Sequence, residues 1–419
     1  MTGSILPRID GARLMDRLTS LARIGCRASG GITRLALTRE DWEARSIFAT
    51  WLEESGLSVS SDAAGNLFGR LEGEDPSLPP LLIGSHLDTV PEGGAFDGAL
   101  GCVAALEVTA TIVEAGIRPR RSLEVAVWTD EEGARFGTGL LGSRAFCGLS
   151  SPGDLALRDA DGTSLAEALE ERQLDPAALL TMSPRPVTAY LELHIEQGPI
   201  LESMGVPLGI VTGIVGMIHL HVEVTGTAGH AGTTPMTARG DALAAASEMV
   251  LAVERAAREV GPHTVATVGQ LLVSPGAANV IPGRCTFSVD IRSLEEAARD
   301  RVHDRIRTAV EEIAERRAIA ANLRETLRLP PVPMSERLQE ALTSACEREN
   351  LPIHRLPSGA GHDAMILAGI AEAGMLFTRC RGGVSHNPAE SILQEDAAAG
   401  AQVLLDAALV ELGGEFSRK

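Results

Sequence analysis

Tyrosine occurs once in 419 residues, and aromatics make up only 3% of the chain. Base-stacking platforms for single-stranded nucleic acid are therefore disfavoured. Basic residues are also in deficit. Thirty-seven Lys and Arg face 56 Asp and Glu, a formal charge of −19. Duplex nucleic acid and anionic membranes both reward a basic face, so neither is expected as a partner. No apolar run approaches the ~18 residues that would span a bilayer. The opening MTGSILPRIDGARLMDRL has charges inside its apolar stretch and reads as an amphipathic helix, not a signal peptide. The cysteines at 26, 102, 147, 285, 346 and 380 form no CxxC pair, which argues against a disulfide framework or a cysteine-zinc site. A reducing cytoplasm is the expected location. What the chain does have is length for two or three domains of about 150 residues each. Its hydrophobic content of 44% is enough for a real core.

The first half alternates apolar strands with helix-like segments. Leu81–Ser85, Ser122–Trp128 and Ala189–His194 read as strands, and Leu100–Ala115 as a helix. Strand, helix and strand with short loops predict an α/β layer fold. In such sheets, ligands bind just past the carboxyl ends of strands. Those positions hold His86 and Asp88, Asp130 to Glu132, and His194 to Glu196. Near residue 213 the texture changes. Ile218, Leu220, Val222 and Val224 alternate with polar residues, as do Cys285, Phe287, Val289 and Ile291. Half-buried antiparallel strands read this way. Helices are expected at about 238–260 and 294–317. The segment 213–330 thus reads as a small α+β domain inserted into a sheet-centred domain made of 1–212 and 331–419. LRLPPVP (327–333) is the expected return linker. A helix at 335–349, a Gly-rich stretch at 358–361 and a terminal helix at 391–412 would complete the first domain.

Four clusters carry groups able to do chemistry: GSHLDTVPEGGAFDGALG, WTDEEGARFGTGLLGSRAF, ELHIEQGPILE and RGGVSHNPAE. Imidazoles and carboxylates together suit zinc or a related divalent metal. Five such ligands with one carboxylate bridging would make a two-metal site, which acidifies water and clamps reacting oxygens. A free carboxylate beside it can carry a proton to a leaving nitrogen. Each cluster alone also admits an ordinary role. Asp97-Gly98 can cap a helix, Glu131-Glu132 can be a solvated turn, His194 a core histidine, and His386-Asn387-Pro388 a turn.

In order along the chain stand GSHLDTVPEGGAFDGALG, DEEGARFGTGLLGSRA, ELHIEQGPILE, GTAGHAGTTPM, AANVIPG, SGAGHDA and SHNPAE. Together they resemble the M20 metallopeptidase superfamily from about residue 10 to 412. The closer likeness is to the hydantoinase/carbamoylase branch, which holds N-carbamoyl-L-amino acid hydrolases, allantoate and ureidoglycolate amidohydrolases and β-ureidopropionases. HIEQGP is the most diagnostic segment, because peptidase relatives usually have a carboxylate in place of this histidine.

The resemblance implies roles residue by residue. His86 and His194 would bind one metal, Glu132 and His386 the other, and Asp97 both. Glu131 would be the general base and later the acid, and Asp88 would orient His86. Two divalent ions per subunit are implied, zinc foremost, with manganese, cobalt or nickel also fitting. The inserted segment would be a lid and dimerisation domain, making the protein a homodimer in which His230 stabilises the oxyanion in a neighbouring site. Asn279 and Arg292 would grip the substrate carboxylate, with Gln197, Gly359 and His362 as further contacts. After the GIVG turn the chain has Gly216-Met217-Ile218-His219, where allantoate-specific relatives tend to carry arginine. The expected activity is therefore hydrolysis of the carbamoyl C–N bond of N-carbamoyl-L-amino acids to amino acid, carbon dioxide and ammonia. Hydrolysis of allantoate or ureidoglycolate is the alternative within the class. A catalytically inactive protein binding metal or amino acid derivatives is the alternative outside it.

Overall fold

The computed structural model describes residues 7–261 and 264–413. The chain divides into two compact units. The first comprises residues up to Thr212 together with Met334–Leu356 and the chain from Gly361 onward; the second comprises Gly213–Pro333 and Pro357–Ala360.

The first unit is built on a twisted mixed sheet, which agrees with the α/β expectation. Leu81–His86, Leu123–Trp128, Ala189–Ile195 and Glu372–Thr378 run parallel at its centre. Antiparallel neighbours Leu67–Leu71 and then Ser58–Ser61 extend it on one side, and Leu208–Ile214 flanks Glu372–Thr378 on the other. LLIGSH and AYLELHI are buried at every position. Strands covered on both faces need near-continuous apolar sequence, which these two supply until each meets its histidine. Helix Ala99–Glu114 is enclosed almost all round, with residues 99–112 buried. That explains its poverty in charge. One core unites this helix, the central strands and the helices Gly11–Leu21 and Gln394–Leu412.

The second unit has a five-stranded antiparallel sheet in which Arg284–Ser293 and Gly216–Thr225 are central. Helices Ala242–Val260 and Glu296–Arg316 supply Met249, Val253, Val302, Ile306 and Val310 to a core with Ile218, Leu220, Phe287 and Val289. Their strand neighbours of opposite parity, such as His219, His221, Asp290 and Arg292, are half-buried.

Several expected boundaries move. The amphipathic helix starts at Gly11 because the Asp10 carboxylate accepts the N–H groups of Ala12 and Arg13. Residues 1–6 of that expectation lie outside the described residues. The helix expected from 238 starts at Ala242, capped by Asp241, after a short 3-10 turn at Met236–Ala238. Residues 327–329 are not linker. They end the strand Ala320–Leu329, which pairs with Gly216–Thr225. Pro330 and Pro331 stop the strand, since neither can donate to a ladder. The Gly-rich stretch also splits, with Pro357–Ala360 falling to the second unit.

Candidate functional site

The parallel strands of the first unit deliver their polar ends to one edge. His86 closes Leu81–His86, and His194 is the penultimate residue of Ala189–Ile195. Each ring is oriented by a backbone carbonyl. The Nδ1 atom of His86 is 3.0 Å from the Asp88 carbonyl oxygen, and that of His194 is 3.0 Å from the Ile195 carbonyl oxygen. A carbonyl only accepts, so both Nδ1 atoms carry hydrogen and each Nε2 atom is left facing the site. Asp97 sits before helix Ala99–Glu114, followed by Gly98 at φ 63°. A Cβ at Gly98 would lie 2.4 Å from the His86 ring, so that turn needs glycine.

The two oxygens of Asp97 address different neighbours. Oδ1 is 3.1 Å from His194 Nε2 and 3.6 Å from His86 Nε2. Oδ2 is 3.2 Å from His386 Nε2, which in turn lies 3.3 Å from Glu132 Oε2. Of the three ligand groups among the described residues, two contain Asp97: His86, Asp97 and His194, and Asp97, Glu132 and His386; the third is Glu192, His194 and His362. Within each, the ligand atoms lie within 4.8 Å of one another. The donor set fits divalent cations. A carboxylate shared by two imidazole-bearing groups is what a bridged pair requires, and Glu132 Oε1 is buried without a hydrogen-bond partner. His386 reaches the site from a backbone at φ 52°, with its side chain 48% exposed.

Charge is concentrated here. Burial raises the Glu131 carboxyl well above its usual range, and nearby Asp363, Glu132, Asp88 and Asp97 push the same way. Asp97 goes the other way. Burial opposes its ionisation, but hydrogen bonds from His194 and His386 hold it well below the usual value. In return His194 is raised to about 9 against its burial, and His386 to about 10 by Asp97 and Glu132. Both imidazoles are thus protonated at pH 7 in the apoprotein. A divalent ion must displace those protons, so binding should weaken as pH falls from about 9 towards 6. Calorimetry at pH 7 in buffers of differing ionisation enthalpy should find about two protons released as the pocket fills. Uptake without proton release would mean that these imidazoles are already neutral in the apoprotein.

Asp88 orients His86 through its main-chain carbonyl, while its carboxylate Oδ1 lies 3.8 Å from Nδ1. The carboxylate accepts from the backbone N–H groups of Glu131 and Glu132, at 3.3 and 3.2 Å. It therefore sets the turn that presents both glutamates. Gln197 donates to Asp97 Oδ2 at 2.9 Å. His362 is buried edge-on to His194, with ring centroids 4.5 Å apart, and burial keeps it neutral.

The remaining sequence-predicted residues lie in the second unit. His230 is exposed on a two-residue strand paired with Val280–Ile281. The N–H of Gly232 donates to its Nδ1 at 3.0 Å, so its hydrogen resides on Nε2. Asn279 is adjacent, its carbonyl accepting from the Ala231 N–H at 3.0 Å. Arg292 forks onto Asp290, two residues back on the same strand, at 2.8–3.1 Å. Its Nη1 donates to the Gly359 carbonyl at 2.7 Å. A substrate carboxylate would have to share this guanidinium with Asp290.

Sequence reasoning missed Ser385, Glu390 and Glu192. Glu192 is buried and receives hydrogen bonds from Ser85, Tyr190 and the Ala364 N–H. Its position two residues before His194, on the same strand face, was the available signal.

Residues 82–410 match the model of Peptidase family M20/M25/M40. An N-carbamoyl-L-amino acid amidohydrolase of Geobacillus stearothermophilus is 47% identical over 94% of this chain and 97% of its own. Allantoate deiminase 1 of Glycine max is 36% identical, covering 94% and 88% respectively. Among solved structures, an amidase of the hydantoinase/carbamoylase family from Burkholderia multivorans superposes with a TM-score of 0.89 at 37% identity, covering 97% of this chain and 99% of that one.

Proposed function

The chain belongs to Peptidase family M20/M25/M40, a family of metal-dependent hydrolases, and from that premise we propose that it is a binuclear amidohydrolase cleaving the carbamoyl C–N bond of N-carbamoyl-L-amino acids. The observation that carries the binuclear reading is Asp97, one oxygen towards His86 and His194 and the other towards His386. Two divalent ions held by His86, His194, Asp97, Glu132 and His386, zinc foremost, would polarise the ureido carbonyl and acidify the attacking water.

The chain's own residues do the rest. Glu131 takes the proton from water and passes it to the leaving nitrogen, a task that suits a carboxyl raised by burial. Asp88 keeps the Glu131–Glu132 turn aimed at the site. His230 donates its Nε2 hydrogen to the developing oxyanion. Arg292 and Asn279 bind the substrate carboxylate, with Gln197, His362 and the Gly359 loop as further contacts. Because His230 lies in the inserted unit, we assign the working assembly as a homodimer whose lids serve each other's sites. The cysteines are all unpaired thiols, which fits a reducing compartment such as the cytoplasm. No helix among the described residues is long and apolar enough to cross a membrane.

Met217 and Ile218 are buried at the start of their strand, and His219 lies 3.7 Å from Asp290. An apolar step there favours carbamoyl amino acids over allantoate. Ammonia release by metal-reconstituted enzyme should give carbamoyl-L-amino acids a kcat/KM at least roughly tenfold above allantoate. Faster turnover of allantoate would reverse the substrate assignment. Metal-loaded protein that hydrolyses neither would support a binding role instead.

A further inference from the structure

Glu390 is buried, 5% exposed, and has no place in the chemistry above. It nevertheless bonds to the backbone of Asp97 and to the residue that precedes His386. Its Oε1 accepts the N–H of Phe96 at 2.8 Å and that of Asp97 at 3.1 Å, across 293 residues in the latter case. Its Oε2 lies 3.0 Å from Ser385 Oγ, and the same hydroxyl is 3.0 Å from Asp97 Oδ2. Ser385 immediately precedes His386. Gly94 leaves room for this carboxylate, since a Cβ there would lie 2.1 Å from Glu390 Oε1. We propose that Glu390, acting through Ser385 and the Phe96–Asp97 backbone, is a clasp that fixes Asp97 relative to His386 and thereby sets the affinity of the pocket for divalent ions.

The reason is geometric. Asp97 precedes a helix that is locked in the core, whereas His386 comes from a short exposed turn near the other end of the chain. A ligand pair drawn from such different supports gains affinity only if something holds the two at the right separation. Glu390 binds the peptide of one and, through the hydroxyl of Ser385, the support of the other. A serine hydroxyl has one hydrogen, so it cannot donate to Asp97 and Glu390 at once. An amide nitrogen in place of Oε2 would donate to Ser385 Oγ and leave the hydroxyl hydrogen for Asp97. Glu390→Gln should therefore preserve the clasp, and Glu390→Ala should open it.

The test is a calorimetric titration of full-length apoprotein with Mn²⁺ or Zn²⁺ alone, beside thermal melting of the same apoproteins. Glu390→Ala should weaken ion binding by about 10- to 100-fold, the usual effect of losing a partner that orients a ligand. Gly94→Ala, which displaces the carboxylate without removing it, should do the same. Glu390→Gln should stay within about threefold of wild type. Unchanged affinity in both Glu390→Ala and Gly94→Ala would overturn the proposal. So would a Glu390→Gln protein as weak as Glu390→Ala, or a fall in apoprotein melting temperature with no change in affinity. If Glu390→Ala does not fold, Gly94→Ala and Glu390→Gln decide. The clasp rests on reading Asp97 and His386 as ion ligands. A wild-type apoprotein that binds no divalent ion sinks that reading, whereas normal wild-type binding with unaffected variants sinks only the clasp.

Discussion

Glu131→Gln should lower kcat by about 10²- to 10⁴-fold while leaving bound metal and KM close to wild type. Glutamine has the same shape and leaves the backbone tether to Asp88 intact. It cannot accept a proton from water or return one to nitrogen. Glu131 is suited to both steps for a reason visible in its surroundings. Burial raises its carboxyl well above the usual range, and Asp363, Glu132, Asp88 and Asp97 add to the rise. Its Oε2 stands 3.6 Å from His86 Nε2, beside the pocket, and its backbone is tethered by Asp88. A group so placed can take a proton from water and return it to nitrogen without leaving the site. Steady-state ammonia release together with metal analysis of the same preparation checks this. A variant with undiminished kcat would remove Glu131 from the mechanism, and one that lost its metal would make it a ligand instead.

Much of this pocket was legible because its ligands interrupt patterns. LLIGSH and AYLELHI are apolar runs that end on histidine, and polar groups at the ends of buried parallel strands have few structural uses. The alternation around Ile218 and Phe287 likewise gave the second unit its strands, since one buried face imposes a period of two. What could not be read was which atom of a residue does the work. Asp88 was placed beside His86 correctly, yet its carbonyl holds the ring and its carboxylate holds the next turn. Spacing of two along a strand end predicts proximity and says nothing of the partner chosen. Arg292 shows the converse. Its place on the polar parity of its strand left a surface ion pair as the ordinary alternative to substrate binding, and that pair forms with Asp290. The strand Ala320–Leu329 had no expectation at all, and Pro330 and Pro331 drew the linker boundary backwards into its last paired residues. Glu390 was invisible for a different reason. Its partners are backbone N–H groups 293 and 294 residues away, and backbone carries no sequence signal.

Asp97→Asn should have the largest effect on the metal itself. The isosteric amide keeps one oxygen and replaces the other with an NH₂ group, which donates and cannot ligate a cation. Whichever way it turns, either the His86 and His194 side or the His386 and Glu132 side loses its shared oxygen. The negative charge that would help balance two cations disappears with it, which outweighs the easier deprotonation of His194 and His386. Ion affinity should therefore fall by well over the roughly 100-fold that loss of an outer hydrogen bond costs, and turnover should fall with it. The direct measurement is elemental analysis of metal per chain, after loading with zinc or manganese and removal of free ion, for wild type and Asp97→Asn side by side. Two ions per wild-type chain and one or none in the variant is the predicted result. One ion or none in saturated wild type, or two retained without the Asp97 carboxylate, would contradict the account of a bridged pair.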